Sequence, residues 1–156
     1  NLLETAYDDE LFDYYMTCEL VVLDPVTGNM QVLGQPAIYS MAEYSPDGKY
    51  ILVEYLLGPW SHEVAWWRFA AEIEVWTKEG EKVTTIASLP LFDAVPVHGV
   101  TVGVRGIQWR PTAPHTLFWL EALDGGDPVS TIPSGEANFQ ELPSFIFEQS
   151  ILGTNP

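Results

Sequence analysis

Short apolar runs separated by turn residues follow one another along most of the chain, and this pattern predicts an all-β fold. The runs that we interpret as strands cover residues 19–23, 30–33, 37–44, 49–57, 71–77, 82–87, 105–110 and 116–123. The four runs between residues 37 and 88 predict one four-stranded antiparallel meander. One of them alternates Ile73 and Val75 on one face with Glu74 and Trp76 on the other.

The turn Ser45-Pro46-Asp47-Gly48 joins two of these runs, and such a hairpin is a common unit of β-propeller blades. A second blade-like unit places Trp109-Arg110-Pro111 where the first has Tyr44-Ser45-Pro46. A closed propeller needs at least about four blades, whereas the runs in these 156 residues provide about two. The sequence therefore predicts antiparallel four-stranded blades in an incomplete propeller.

The two ends of the chain depart from this pattern. Residues 4–16 predict a short N-terminal helix, with Thr5 as its N-cap and acidic residues in the first turn. Cys18 begins the first strand, where we expect a small buried side chain. After Asp127 polar residues, proline and glycine replace the apolar runs, so we predict an extended tail. The predicted organisation is a helical lead-in over residues 1–18, a partial β-propeller over residues 19–127 and a tail over residues 128–156.

Charge narrows the range of partners. The chain has 22 Asp and Glu residues against 6 Lys and Arg residues, a formal net charge of −16. Such a surface repels phosphate backbones and anionic membrane surfaces, so we expect no nucleic-acid partner. No apolar run is long enough to predict a membrane-spanning helix. The single cysteine and the absence of a Cys/His cluster with zinc-site spacing predict neither a disulfide nor a metal or other cofactor.

A loop after residue 57 holds three of the six tryptophans and is the candidate site. Its candidate partner-binding residues are Trp60, His62, Trp66, Trp67 and Arg68. Tryptophan and arginine are enriched at the energetic centres of protein interfaces, so the loop predicts a protein partner. The alternative is that the loop packs over its own blade. We interpret Glu54 and Glu121 as acids at the rim of the propeller. We interpret Asp124 and Asp127 as part of a tight turn.

Five segments in a fixed order carry a resemblance to a known family. They are Leu11-Phe12-Asp13-Tyr14-Tyr15, Ser45-Pro46-Asp47-Gly48-Lys49-Tyr50, Arg68-Phe69 with Glu74-Val75-Trp76, Arg105 through Trp109-Arg110-Pro111, and Glu121-Ala122-Leu123-Asp124-Gly125-Gly126-Asp127-Pro128. Over about residues 4–128 the chain resembles the amino-terminal propeller region of the glutamyl endopeptidases, in the prolyl oligopeptidase group of serine peptidases. Plants and algae carry these enzymes in the chloroplast, so the resemblance implies a plastid location.

The family joins its propeller to a carboxy-terminal α/β-hydrolase domain with a Ser-Asp-His triad, whose serine lies on a Gly-x-Ser-x-Gly elbow. This sequence contains no such elbow, and His62, His98 and His115 fall in predicted loops or turns. We therefore carry no catalytic residue over to this chain and predict that it is not an enzyme by itself. The chain also has Ala65-Trp66-Trp67 where family members tend to have prolines.

Two hypotheses for function remain. In the first, the chain is a non-catalytic interaction or structural subunit, derived from a propeller, that binds a larger protein assembly. By family analogy this assembly would be a plastid complex, even a photosynthetic one. In the second, the chain is a propeller fragment of a serine-type glutamyl endopeptidase and gates substrate access to a hydrolase domain located elsewhere. The divergent segment after Pro128 favours the first hypothesis.

Overall fold

The computed structural model describes residues 2–95 and 100–122, and it describes residues 144–150 by their backbone alone. The chain divides into two compact units, Asn1–Asp93 and Ala94–Pro156. Each unit contains antiparallel sheet, and the first also contains a helix. The predicted all-β class therefore holds in its coarse form, as a mainly antiparallel sheet protein with one helix.

The first unit is a five-stranded sheet preceded by a helix. Its elements are helix α1 (Ala6–Met16) and strands β1 (Cys18–Leu23), β2 (Met30–Tyr44), β3 (Tyr50–Leu57), β4 (Ala70–Thr77) and β5 (Lys82–Leu89). Neighbouring strands pair in sequence order and antiparallel, so β2 to β5 form the predicted meander. A single 3₁₀ turn, Trp66–Arg68, lies in the connection between β3 and β4.

The hairpin turns form where their sequences predict. In the β1–β2 turn the Asp24 carboxylate accepts hydrogen bonds from the backbone N–H groups of Val26 and Thr27. In the β2–β3 turn the Ser45 hydroxyl accepts from the Tyr50 N–H at 3.0 Å, and Gly48 supplies a φ of +69°. Each turn thus satisfies its own polar groups through short polar side chains and a glycine, which fixes the register of the strands that follow.

Strand β2 differs from the prediction, because the two runs at residues 30–33 and 37–44 are one strand. Its first part pairs with β1, and from Ile38 onward it pairs with β3. Gly34 lies at the change, with a φ of +65°. This left-handed conformation costs glycine little and other residues more, so the strand bends here without ending. A register shift between Tyr39 and Met41 follows.

Because β2 bends at Gly34, the β1–β2 hairpin covers one face of the sheet. Leu20, Val22 and Leu33 of the β1–β2 hairpin pack in one cluster with Val53 and Trp76. The predicted alternation along β4 is confirmed, yet both of its faces are buried: Ile73 is 1% exposed, Val75 0%, Glu74 4% and Trp76 6%. Strand β4 is therefore an interior strand with one carboxylate inside the protein.

Helix α1 covers part of the other face. It begins at a capping box, in which the Thr5 side chain accepts from the Asp8 N–H and the Asp8 carboxylate accepts from the Thr5 N–H. Its Phe12 packs against the cluster that contains Phe69. The expectation for Cys18 was wrong in part: it begins β1 as predicted, but its side chain is exposed, because it lies at the end of the strand, outside the cluster that Leu20 and Val22 join.

The second unit is a three-stranded antiparallel sheet of β6 (Arg105–Trp109), β7 (Thr116–Ala122) and β8 (Ser144–Ser150), in that order. The first two strands confirm the predicted pair. Strand β8 lies within the predicted tail and pairs with β7 along all of its length, from Ser144 opposite Ala122 to Ser150 opposite Thr116. The rest of that tail, like His98, Asp124 and Asp127, lies outside the described residues.

Candidate functional site

The loop between β3 and β4, residues 58–69, holds every residue that the sequence marks as a candidate for partner binding. We call this segment the tryptophan loop. Its ends are fixed by β3 and β4, and the 3₁₀ turn closes through a bond from the Phe69 N–H to the Trp66 carbonyl. The backbone carbonyl of Arg68 accepts from the Phe92 N–H at 2.9 Å. The loop is therefore attached to the sheet through its own main chain.

Two residues of the tryptophan loop bind helix α1. The Trp60 indole N–H donates to Asp13 Oδ1 at 2.9 Å, and His62 Nε2 lies 3.0 Å from Asp9 Oδ1. The Trp60 ring also stacks on Phe69 with centroids 5.4 Å apart. These contacts give Trp60 and His62 an internal role, as in the loop-packing alternative. Partner binding by these two residues stays a prediction.

The other two tryptophans point outward. Trp66 is 45% exposed and Trp67 is 65% exposed. Their rings contact each other edge to face, with centroids 5.9 Å apart. We call them the indole pair. Arg68 follows directly and is half-buried. Two large aromatic side chains that contact each other and are this exposed retain apolar surface for a partner.

A buried polar cluster around Glu74 was missed by sequence reasoning. The carboxylate accepts from Lys82 Nζ at 2.5 Å and from the Tyr55 hydroxyl at 3.2 Å through Oε1, and from the Trp76 indole N–H at 2.6 Å through Oε2. Burial alone would raise the pKa of Glu74, but the bonds from Lys82 and Trp76 outweigh it and lower the pKa. Glu74 is therefore ionised at neutral pH, with three donors around one charge.

The same cluster borders a cleft of about 340 Å³ between the bend of β2 and the β4–β5 hairpin. Tyr39 and Tyr55 line it together with Trp76. Burial, and then the neighbouring Glu74 charge, raise the pKa of Tyr55 to about 12. Tyr55 therefore keeps its proton at neutral pH and Glu74 keeps its charge. The arrangement holds a charge in place and does not exchange a proton near pH 7, so we assign it a structural role.

A signal for this cluster was present in the sequence. Glu74 stands between Ile73 and Val75 in a strand, and Trp76 lies on the same face two residues later. A carboxylate in such a strand needs a donor nearby, and an indole N–H two positions away can supply one. A related pair occurs in β7 with the order reversed: the Trp119 indole donates to Glu121 Oε1 at 2.7 Å, and Glu121 is only half-buried.

Glu54 and His115 are two further residues that the sequence raised as candidates for chemistry. Glu54 accepts from the Ser40 hydroxyl at 2.8 Å, and His115 lies in the turn between β6 and β7. Over residues 2–95 and 100–122, no group of His, Cys, Asp and Glu side chains has metal-binding geometry. In the same part of the chain, no helix has the length and apolar character needed to cross a membrane.

Comparison with known proteins supports the predicted resemblance. A protein of rice, Oryza sativa subsp. japonica, named "Probable glutamyl endopeptidase, chloroplastic" is 40% identical over 129 residues, which are 81% of this chain and 14% of the rice protein. A protein of Arabidopsis thaliana with the same name is 42% identical over 129 residues, or 81% of this chain and 13% of that protein. No protein-family model matches the chain, and no solved structure matches it.

The chain thus spans about one seventh of the length of these two relatives, since it covers 14% and 13% of them. Both relatives are named chloroplastic, so the plastid location expected from the resemblance is confirmed by analogy. Identity at this level over four fifths of the chain reflects common descent. The chain is a homologue of a segment of these two plant proteins, each of which is named probable glutamyl endopeptidase.

Proposed function

We propose that this chain is a non-catalytic, propeller-derived module that binds a larger protein assembly of the plastid through the indole pair. A photosynthetic complex is one such assembly. The observation that carries the proposal is the exposure of Trp66 and Trp67, at 45% and 65%. Tryptophan is among the residues enriched at interface hot spots, and two exposed indoles in contact leave apolar area available.

Other exposed apolar side chains support a partner-bound existence. On the outer face of the β1–β2 hairpin, Val21 pairs with Val32 and Leu23 pairs with Met30, and all four are more than half exposed. β1 is also an edge strand of the described sheet. An exposed strand edge with apolar neighbours invites pairing with another chain unless a partner covers it.

The test is the double substitution Trp66→Ala/Trp67→Ala, compared with Tyr7→Ala/Tyr14→Ala. The control removes two aromatic rings that are 66% and 77% exposed on α1. We expect the indole variant to weaken association with the assembly about 30-fold, as loss of a hot spot does, and the control to change it less than about 3-fold. The assay is the amount of native complex recovered with tagged chain from plastid extract. Equal recovery with both variants would exclude the indole pair as the binding site.

The alternative function is a segment of a serine-type glutamyl endopeptidase that gates substrate access to an α/β-hydrolase domain. Its support is the name of both relatives and the small share of their length that this chain spans. Detection of the native polypeptide with an antibody against residues 37–88 separates the two functions. A band near 17.4 kDa favours the subunit. A band of several times that mass favours the peptidase, if the protein it contains cleaves peptides after glutamate.

A further inference from the structure

A groove lies along helix α1, on residues that neither the indole pair nor the Glu74 cluster uses. Its volume is about 390 Å³, and the segment before the helix forms one wall. Apolar side chains form most of its lining: Leu2, Leu3, Leu11, Phe12, Tyr15 and Met16. Tyr15 is 73% exposed, and Leu2 and Met16 are each about half exposed, at 49% and 48%. The groove is therefore apolar and open to solvent.

Carboxylates border this groove. Glu4 and Asp8 are its two polar lining residues. The bond from the Thr5 hydroxyl, followed by the bond from the Glu4 N–H, holds the pKa of Asp8 below its usual value. Because Asp8 belongs to the capping box, this charge is also fixed in position. An apolar side chain seated in the groove would thus have a fixed negative charge beside it.

Other acidic residues of the same segment add negative charge. Residues 1–17, which include α1, contain no Lys, Arg or His and have five acidic residues: Glu4, Asp8, Asp9, Glu10 and Asp13. His62 approaches from the tryptophan loop and contacts Asp9, so it offsets part of the charge when protonated. One-sign charge around an apolar groove selects partners by charge complementarity.

We propose that this groove binds a basic amphipathic segment of a partner protein, with an apolar side chain in the groove and Lys or Arg side chains toward Glu4 and Asp8. Helix-in-groove recognition combines an apolar anchor with charges at its border in this way. An anionic lipid surface has the wrong sign for this site. The proposal goes beyond the proposed function, because the groove shares no residue with the indole pair and each can fail independently.

The test uses two labelled synthetic helices that share their leucine positions, one with lysine and one with glutamate at every polar position. Fluorescence anisotropy reports binding to the full chain. We expect the lysine helix to bind at least about 10-fold tighter than the glutamate helix, and its affinity to fall as salt rises. Equal binding of the two helices would overturn the charge argument.

Two pairs of variants separate the groove from general attraction to an acidic protein. Tyr15→Ala/Met16→Ala should weaken binding of the lysine helix about 10-fold, and Tyr7→Ala/Tyr14→Ala, outside the groove lining, less than about 2-fold. Glu4→Lys should weaken it more than Glu10→Lys, although each raises the net charge by the same amount. If both members of a pair act equally, the groove is not the binding site.

Two further outcomes complete the test. Trp66→Ala/Trp67→Ala should bind the lysine helix like the unmodified chain, and a loss there would assign the binding to the tryptophan loop instead. Vesicles of anionic lipid should not bind the chain, and vesicle binding that Tyr15→Ala/Met16→Ala abolishes would replace the protein partner with a membrane. Far-UV circular dichroism checks that each variant retains α1. Tyr7, Tyr14, Tyr15 and Met16 are exposed, so we expect the helix to remain when they are substituted.

Discussion

Substitution of Gly34 by alanine should destabilise the protein more than the same change at Gly48, a glycine with a similar positive φ. At Gly34 an added Cβ would lie 2.5 Å from Cη2 and 2.7 Å from Cζ3 of Trp76. Carbon atoms in favourable contact are about 3.5–4.0 Å apart, so the bend of β2 would have to move away from the indole. This close approach is what allows the β1–β2 hairpin to cover the face of the sheet that holds Trp76.

Two costs contribute to the expected effect. The left-handed conformation at φ +65° costs an alanine about 1–2 kcal/mol. Forcing extra volume into a packed core costs about 1–3 kcal/mol more. Alanine also lowers the conformational entropy of the unfolded chain, which offsets about 0.4–1 kcal/mol of these costs. We therefore expect Gly34→Ala to lower the free energy of unfolding by about 1–5 kcal/mol.

Gly48→Ala is the matched control, because Gly48 has a φ of +69° and nothing within 4 Å of the added Cβ. It should cost only about 1 kcal/mol. Urea denaturation followed by far-UV circular dichroism measures both. In a Trp76→Phe background, which removes the two clashing ring atoms, the extra cost of Gly34→Ala should shrink. Equal costs for Gly34→Ala and Gly48→Ala would refute the proposed packing of the bend on Trp76.

Two other predictions concern the Glu74 cluster and the start of α1. The hydrogen-bond donors around Glu74 lower its pKa in the folded state. Ionised Glu74 therefore contributes fully to stability above its pKa in the unfolded chain, about 4.3, and this contribution is lost as the pH falls through its pKa in the folded protein. Urea titrations between neutral and acid pH should therefore show a smaller acid loss of stability for Glu74→Gln, and an unchanged loss would contradict the assignment. Thr5→Ala removes the capping box and should lower the local stability of α1 by about 0.5–2 kcal/mol, measured by amide hydrogen exchange. Thr17→Ala is its control, because the C-cap of α1 uses the Thr17 backbone N–H; equal effects would contradict the capping role.

The elements that follow from local chemistry were predictable. Turn residues such as Asp24 and Gly48 define hairpins within a few positions, and Thr5 with Asp8 defines a helix start. The related family was also identifiable, because its motifs occur in order along the chain. Long-range packing was not predictable in the same way. Nothing local to Gly34 shows that Trp76 lies against it, so one bent strand was interpreted as two.

The burial of Glu74 has the same origin. Alternation places Glu74 and Trp76 on one face, but only the bend of β2 decides that this face is covered. Strand β8 was missed because its apolar residues, Phe145, Ile146 and Phe147, are separated from β7 by a long segment of polar residues, proline and glycine and not by a short hairpin turn. At the candidate site, the sequence marked the tryptophan loop, but it did not show that Trp60 and His62 contact α1 while Trp66 and Trp67 are exposed. This difference depends on how α1 packs against Trp60 and His62.

We propose that this chain works bound to a larger protein assembly. The most direct test is the native mass of the species that carries it, measured by light scattering after gentle isolation, together with the mass of the polypeptide after denaturation. We expect a native mass several times the mass of the denatured polypeptide that carries this sequence. A lone particle near 17.4 kDa under native conditions would contradict it.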